Sequence, residues 1–516
     1  MHDTADGAAK PISWIERAGK AIPDPVVLFM MLWVIVFATS VVMGGYAFEV
    51  QGPGGTSVTQ IIKPLHHREH VLWIFDNAIL ANWLAFGGGV IGIILFIIMA
   101  VGVAEHVGLL GALIKRAGAN IKERYLALAI VFIGIMSSLA ADAGYLILVP
   151  LAGLLYASLG KHPLIGMAAA FAGVSAGFSA NLIPGTTSDV VIGVNARAFA
   201  EAAGMPFTNA DGEPLNAATM NYWFTAASTF VLAPVGAWVT HRFVARRLEK
   251  VPYIIPADLS VGEFRLTDAE RRGLRASGWG LLIGLAFVAA MALGPLAAYD
   301  NPETGQRIVP YLERLVLLIG IVFILCGTAF GIGAGTVRSV MDVVQGMVQQ
   351  MNTMGYVIVL SFFAYNALSL FTYSGLGILL TNFGATGLIT LGLQNAPLLL
   401  LVAFILLTAT LNLMIGGLTS KWLLLGPMFV PMLYAVNPTM TPDVVAAAYR
   451  VGDSPTNIIT PMMPYAGVIL VFMRRYVPGF TLGEMFILMA PYAFTFLAIW
   501  TVMLVIWVSL GIPLGF

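Results

Sequence analysis

Two long apolar segments of this chain are each broken once by closely similar text. The first break reads Gly177-Phe-Ser-Ala-Asn181-Leu-Ile-Pro184-Gly-Thr-Thr-Ser-Asp189, the second Arg450-Val-Gly-Asp453-Ser-Pro-Thr-Asn457-Ile-Ile-Thr-Pro461. Each sets an Asn three or four residues before a Pro, with a carboxylate close by. Hydrocarbon supplies no hydrogen-bond partner, so polar, helix-breaking backbone is tolerated at membrane depth only where protein or a water-filled cavity surrounds it. The two breaks therefore mark the interior of whatever the chain builds.

Composition sets the solvent. Of 516 residues, 59% are hydrophobic and 10% charged, against about 25% charged in a soluble domain. The reading is an all-α polytopic membrane protein in contact with the lipid bilayer. A formal net charge of zero argues against a nucleic-acid partner. A single cysteine, Cys326, excludes an intramolecular disulfide framework. The first apolar run, Val26 to Phe48, exceeds the roughly 7–15 residues of a cleavable signal's core and is expected to be the first span.

A crossing helix needs about 20 apolar residues. Nine candidates start near Val26, Phe86, Leu164, Tyr222, Ser277, Tyr311, Gly355, Pro442 and Gly483. Two further regions, 123–160 and 396–436, have apolar arms around the small polar tips Ser137 to Gly144 and Gly416 to Trp422. These are expected to be re-entrant hairpins. If the first enters from the cytoplasm and the second from outside, the basic clusters Lys115 to Arg124, Arg242 to Lys250, Arg265 to Arg275 and Arg474-Arg475 all fall inside. The N-terminus then lies inside and the C-terminus outside. The halves match in order, which predicts an inverted repeat. The first copy covers about 86–245, with its hairpin at 123–160 and broken helix at 164–200. The second covers about 355–512, with its hairpin at 396–436 and broken helix at 442–475. Such paired breaks point to the binding site of a secondary transporter. Val337 to Met354 reads as an amphipathic interfacial helix or an extension of the next span.

Ionisable groups at membrane depth are functional hypotheses by default: here Asp142, Asp189, Lys421, Arg450 and Asp453. Asp453 and Asn457 share a face if the helix continues between them, although Pro455 is expected to break it. With Asn412 and the Gly416 carbonyl they could cage a small cation; alternatively Asp453 pairs with Arg450. Asp189 either caps the second half of its broken helix or faces substrate. Asn181 is the repeat partner of Asn457. Trp422 either stacks on an aromatic substrate or packs. Lys421 and Asp142 occupy equivalent tip positions and are candidates to pair. The pattern Gly-x-x-x-x-Gly-Lys-Ser/Thr is absent, as are His-Glu-x-x-His and Cys/His clusters, so neither direct ATP use nor metalloenzyme chemistry is indicated. No catalytic constellation suggests an enzyme.

At these residues the chain resembles the AbgT family of aminobenzoyl-glutamate transporters and antimetabolite exporters. The matching text is Ser179 to Asp189, Ser420-Lys-Trp422 with the following Gly-Pro-Met-Phe-Val-Pro-Met, Arg450-Val-Gly-Asp453-Ser-Pro, and Trp14 to Pro25. The resemblance implies a homodimer in a bacterial inner membrane. It implies transport of p-aminobenzoyl-glutamate or related folate-pathway compounds, with sulfonamide export in some members. It implies coupling to a proton or sodium gradient and no cofactor beyond that ion. Asp189, Trp422, Arg450, Asp453 and Pro461 carry over as transport residues, with Thr419. Asn412, Gly416, Asp453 and Asn457 become the sodium-site candidates. Lys421 departs from the neutral residue expected in some relatives. The rival expectations are a dicarboxylate or citrate-type sodium symporter and a passive channel.

Overall fold

The computed structural model describes residues 23–51, 57–79, 81, 83, 90–118, 123–137, 144–255, 266–300, 307–352, 355–415, 417–460, 463 and 465–516. Asp142, Gly416 and Pro461 lie outside the described residues. The chain is built almost entirely of helices: α1 (Pro25–Val42), α2 (Val90–His106), α3 (Leu109–Gly118), α4 (Leu126–Met136), α5 (Gly144–Ser158), α6 (Pro163–Ala176), α7 (Thr187–Ala202), α8 (Tyr222–Leu248), α9 (Asp268–Leu293), α10 (Leu315–Ala334), α11 (Val340–Asn352), α12 (Gly355–Tyr373), α13 (Leu376–Thr390), α14 (Pro397–Asn412), α15 (Leu418–Val436), α16 (Pro442–Thr456), α17 (Ala466–Arg474) and α18 (Leu482–Ser509). A small hairpin, β1 (Ala47–Gln51) with β2 (Ser57–Ile61), follows α1.

Local chemistry starts these helices. Proline stands in the first turn of α1, α6, α14 and α16, where its missing N–H costs nothing. Reciprocal capping boxes open α7 (Thr186/Asp189), α9 (Thr267/Glu270) and α18 (Thr481/Glu484).

Among the described residues, five helices are long and apolar enough to cross a membrane unaided: α1, α8, α9, α10 and α18. Their outer faces leave large apolar side chains such as Val34, Trp279 and Ile283 exposed, as contact with lipid requires. The region beginning at Gly355, expected as one simple span, is instead two helices. α12 and α13 meet at an angle of 76°. Gly375, at φ +83°, supplies the left-handed turn between them.

The arms of the first expected hairpin are short, 11 residues in α4. Those of the second are longer, with 16 in α14 and 19 in α15. α11 is a separate helix packed on α2, where Gln350 donates to Glu105 at 3.1 Å and Gln349 meets the His106 ring at 2.7 Å.

α16 lies at the centre, with every residue from Pro442 to Thr456 buried. It packs on α14, α7 and α18. Pro455 does not end it: the helix runs through to Thr456, and a short 3₁₀ turn, Asn457–Ile459, leads out. Pro455 is the last residue but one of this helix, and its missing N–H removes a single internal hydrogen bond. The first break falls where its text does, between α6 and α7, with Gly185 at φ +70°.

α16 approaches α14 closely at Gly452. A Cβ there would stand 2.5 Å from the Ile405 carbonyl oxygen and 2.7 Å from Thr408 Cβ. Gly452→Ala is therefore expected to lower stability by about 1–3 kcal/mol through overpacking. Thermal unfolding in detergent tests this, and an unchanged melt would refute the close contact.

Candidate functional site

Four chain segments converge on α16. These are the first turns of α7 and α15, the end of α14, and the non-helical stretch before α7. Asp189, on the first turn of α7, uses its two oxygens for different work. Oδ2 accepts from the Thr186 amide at 2.9 Å and the Thr186 hydroxyl at 2.7 Å, closing the capping box. Oδ1 accepts from Arg450 Nη1 at 2.8 Å, with both side chains buried. The cap and the charge pair are thus one arrangement. Arg450 pairs across the two broken segments with Asp189, not with Asp453 three residues along its own helix.

Asp453 is held by Lys421, whose Nζ lies 2.6 Å from Oδ1; both side chains are 1% exposed. Lys421 also donates to Asn412 Oδ1. Asn412 Nδ2 in turn faces the Asp453 carbonyl at 2.6 Å, Thr456 Oγ1 at 2.7 Å and Asn457 Oδ1 at 3.0 Å. Three of the four proposed sodium ligands, Asn412, Asp453 and Asn457, therefore come together, and an ammonium group stands among them. Asp142, the other candidate partner of Lys421, lies outside the described residues.

Tyr449 stands one helical turn before Asp453. Its hydroxyl donates to the Leu418 carbonyl at 2.6 Å and lies 3.5 Å from Asp453 Oδ1. It thereby ties the start of α15 to α16. Sequence reasoning passed over Tyr449, although the i to i+4 spacing from Asp453 could have found it. Trp422 is fully buried, donates from Nε1 to the Ile192 carbonyl at 3.0 Å, and lies against Tyr449 and Phe199 at 4.7 and 5.8 Å between ring centres. It locks α15 to α7 and α16. Thr419 is half-buried in the first turn of α15. Ser454 and Ser179 meet at 2.7 Å and join the two broken segments directly.

Several polar atoms in this region are buried without a protein partner: both side-chain amide atoms of Asn181, Arg450 Nε and Asp453 Oδ2. Buried polar groups left so carry a desolvation cost of about 1–3 kcal/mol each. Among the described residues, no group of three or more His, Cys, Asp or Glu side chains could hold a metal ion.

A helical membrane protein that buries two ion pairs where interrupted helices meet belongs, by class, with the transporters. The comparisons give the family. The model described as "AbgT putative transporter family" matches residues 10–516. The p-aminobenzoyl-glutamate transport protein of Escherichia coli (strain K12) is 30% identical over 518 aligned positions, covering 98% of this chain and 96% of the relative. Two solved structures share the fold. The YdaH transporter of Alcanivorax borkumensis matches with TM-score 0.85 and 34% identity over 96% of this chain and all of the other. MtrF of Neisseria gonorrhoeae, described with a class of antimetabolite efflux pumps, matches with TM-score 0.83 and 32% identity over 97% and 98%. The chain belongs to the AbgT family, whose members are membrane transporters of small molecules and not enzymes.

Proposed function

We propose that this protein is a secondary active transporter of p-aminobenzoyl-glutamate and related folate-pathway compounds, and that it exports sulfonamide antimetabolites. It works as a homodimer in a bacterial inner membrane, N-terminus inside and C-terminus outside. Nine spans and two opposed re-entrant hairpins form an inverted repeat around the site. A proton or sodium gradient drives it. Asn181, Asp189, Thr419, Trp422, Arg450, Asp453 and Pro461 are the positions whose substitution alters transport.

The observation that carries this reading is the buried Arg450–Asp189 pair. A carboxylate-bearing substrate is an alternative partner for the same guanidinium. Protonating Asp189 removes its charge and releases Arg450 to the substrate, while Thr186 still holds the cap in place. Loss of the proton returns Arg450 to Asp189 and expels the anion. Differential affinity of this kind is what a coupled cycle requires.

Radiolabelled p-aminobenzoyl-glutamate uptake into proteoliposomes, with imposed proton or sodium gradients, tests the proposal on the native protein and Asp453→Asn. Gradient-driven accumulation that the substitution abolishes supports it. Equal, gradient-independent equilibration in both proteins refutes coupling, and saturable dicarboxylate uptake unaffected by aminobenzoyl compounds refutes the substrate.

A further inference from the structure

The oxygens that would cage a sodium ion do not fit one in this chain. An ion coordinated by Asp453 Oδ1 and Asn412 Oδ1 would have to stand where the Lys421 ammonium stands, 2.6 Å from the carboxylate oxygen and hydrogen-bonded to the amide oxygen. Lys421 is 1% exposed, so its charge has no route to water without displacement of the first turn of α15. Removing a buried ammonium from its counter-ion is strongly unfavourable. That turn is held in turn by the Tyr449 hydroxyl on the Leu418 carbonyl and the Trp422 indole on Ile192.

We infer that Lys421 is the resident cation of this site. Its ammonium holds the position a sodium ion would take between Asp453 and Asn412 and makes the site insensitive to sodium. This deepens the transporter reading above and rests on it. Among the described residues, few charged or titratable groups surround the pair. Tyr449 faces Asp453 from the same helix, and Arg450 and Asp189 are occupied with each other. With both pairs intact the site carries no net charge to attract a further cation.

The test is thermal unfolding of the purified full-length protein in sodium, potassium or choline chloride at equal ionic strength. Native protein is expected to melt alike in all three. Lys421→Ala empties the oxygen cage of its ammonium and is expected to gain a sodium-selective rise of about 2–4 °C, which Lys421→Ala/Asp453→Asn loses. Sodium-selective stabilisation of the native protein overturns the inference, as does a folded Lys421→Ala that ignores sodium. The native measurement decides alone if the variant does not fold. No substrate enters the experiment, so its failure is separate from a failure of the transport proposal.

Discussion

Arg450→Met is expected to lower the stability of the protein by about 3–5 kcal/mol, because it leaves the Asp189 carboxylate buried with no counter-charge. Transport is expected to fall to background. The double variant Arg450→Met/Asp189→Asn removes both charges, and Asn still caps a helix nearly as well as Asp. Its stability is expected to return to within about 1–2 kcal/mol of native, since a neutral replacement for a buried pair is often tolerated. Transport should not return. Measuring both properties separates the two roles: recovery of transport with stability would make the pair a structural clamp only. Denaturation of the purified variants and uptake in proteoliposomes supply the two readouts.

Trp422→Ala is expected to cost about 3–5 kcal/mol, the usual price of deleting a fully buried large side chain. It unlocks α15 from α7 and α16, and transport should fail for every substrate. Trp422→Phe keeps the contacts with Tyr449 and Phe199 and loses only the hydrogen bond to Ile192, about 0.5–1.5 kcal/mol. A packing residue predicts near-native KM for Trp422→Phe with aromatic and non-aromatic substrates alike. A selective rise in KM for aromatic substrates would instead show that the indole touches the ring.

The site was legible in outline from residue type and position. Asp189, Arg450, Asp453 and Lys421 are conspicuous because charge in an apolar segment needs a reason, and both helix breaks stand in the text as Asn, Gly and Pro. The pairing was not legible. Asp453 has Arg450 three residues away, and local spacing favours that pair; tertiary packing instead carries Arg450 to Asp189 and brings Lys421 to Asp453. Local rules also placed the end of α16 at Pro455, whereas dense packing on all sides holds that helix one residue further. The bend between α12 and α13 was missed because Ser374-Gly375 is short and its flanks are uniformly apolar, so hydropathy alone reads straight through it.

The span of 261 residues between Asp189 and Arg450 has a consequence for biosynthesis. At about 5–20 residues per second, a ribosome makes the arginine roughly 13–52 s after the aspartate. Throughout that interval the nascent first half holds a carboxylate whose counter-charge does not yet exist. The hydrogen bonds from Thr186 are encoded three residues away, so they are available as soon as that turn forms. The capping box thus acts as a built-in chaperone for the charge until the second half of the chain arrives to claim it.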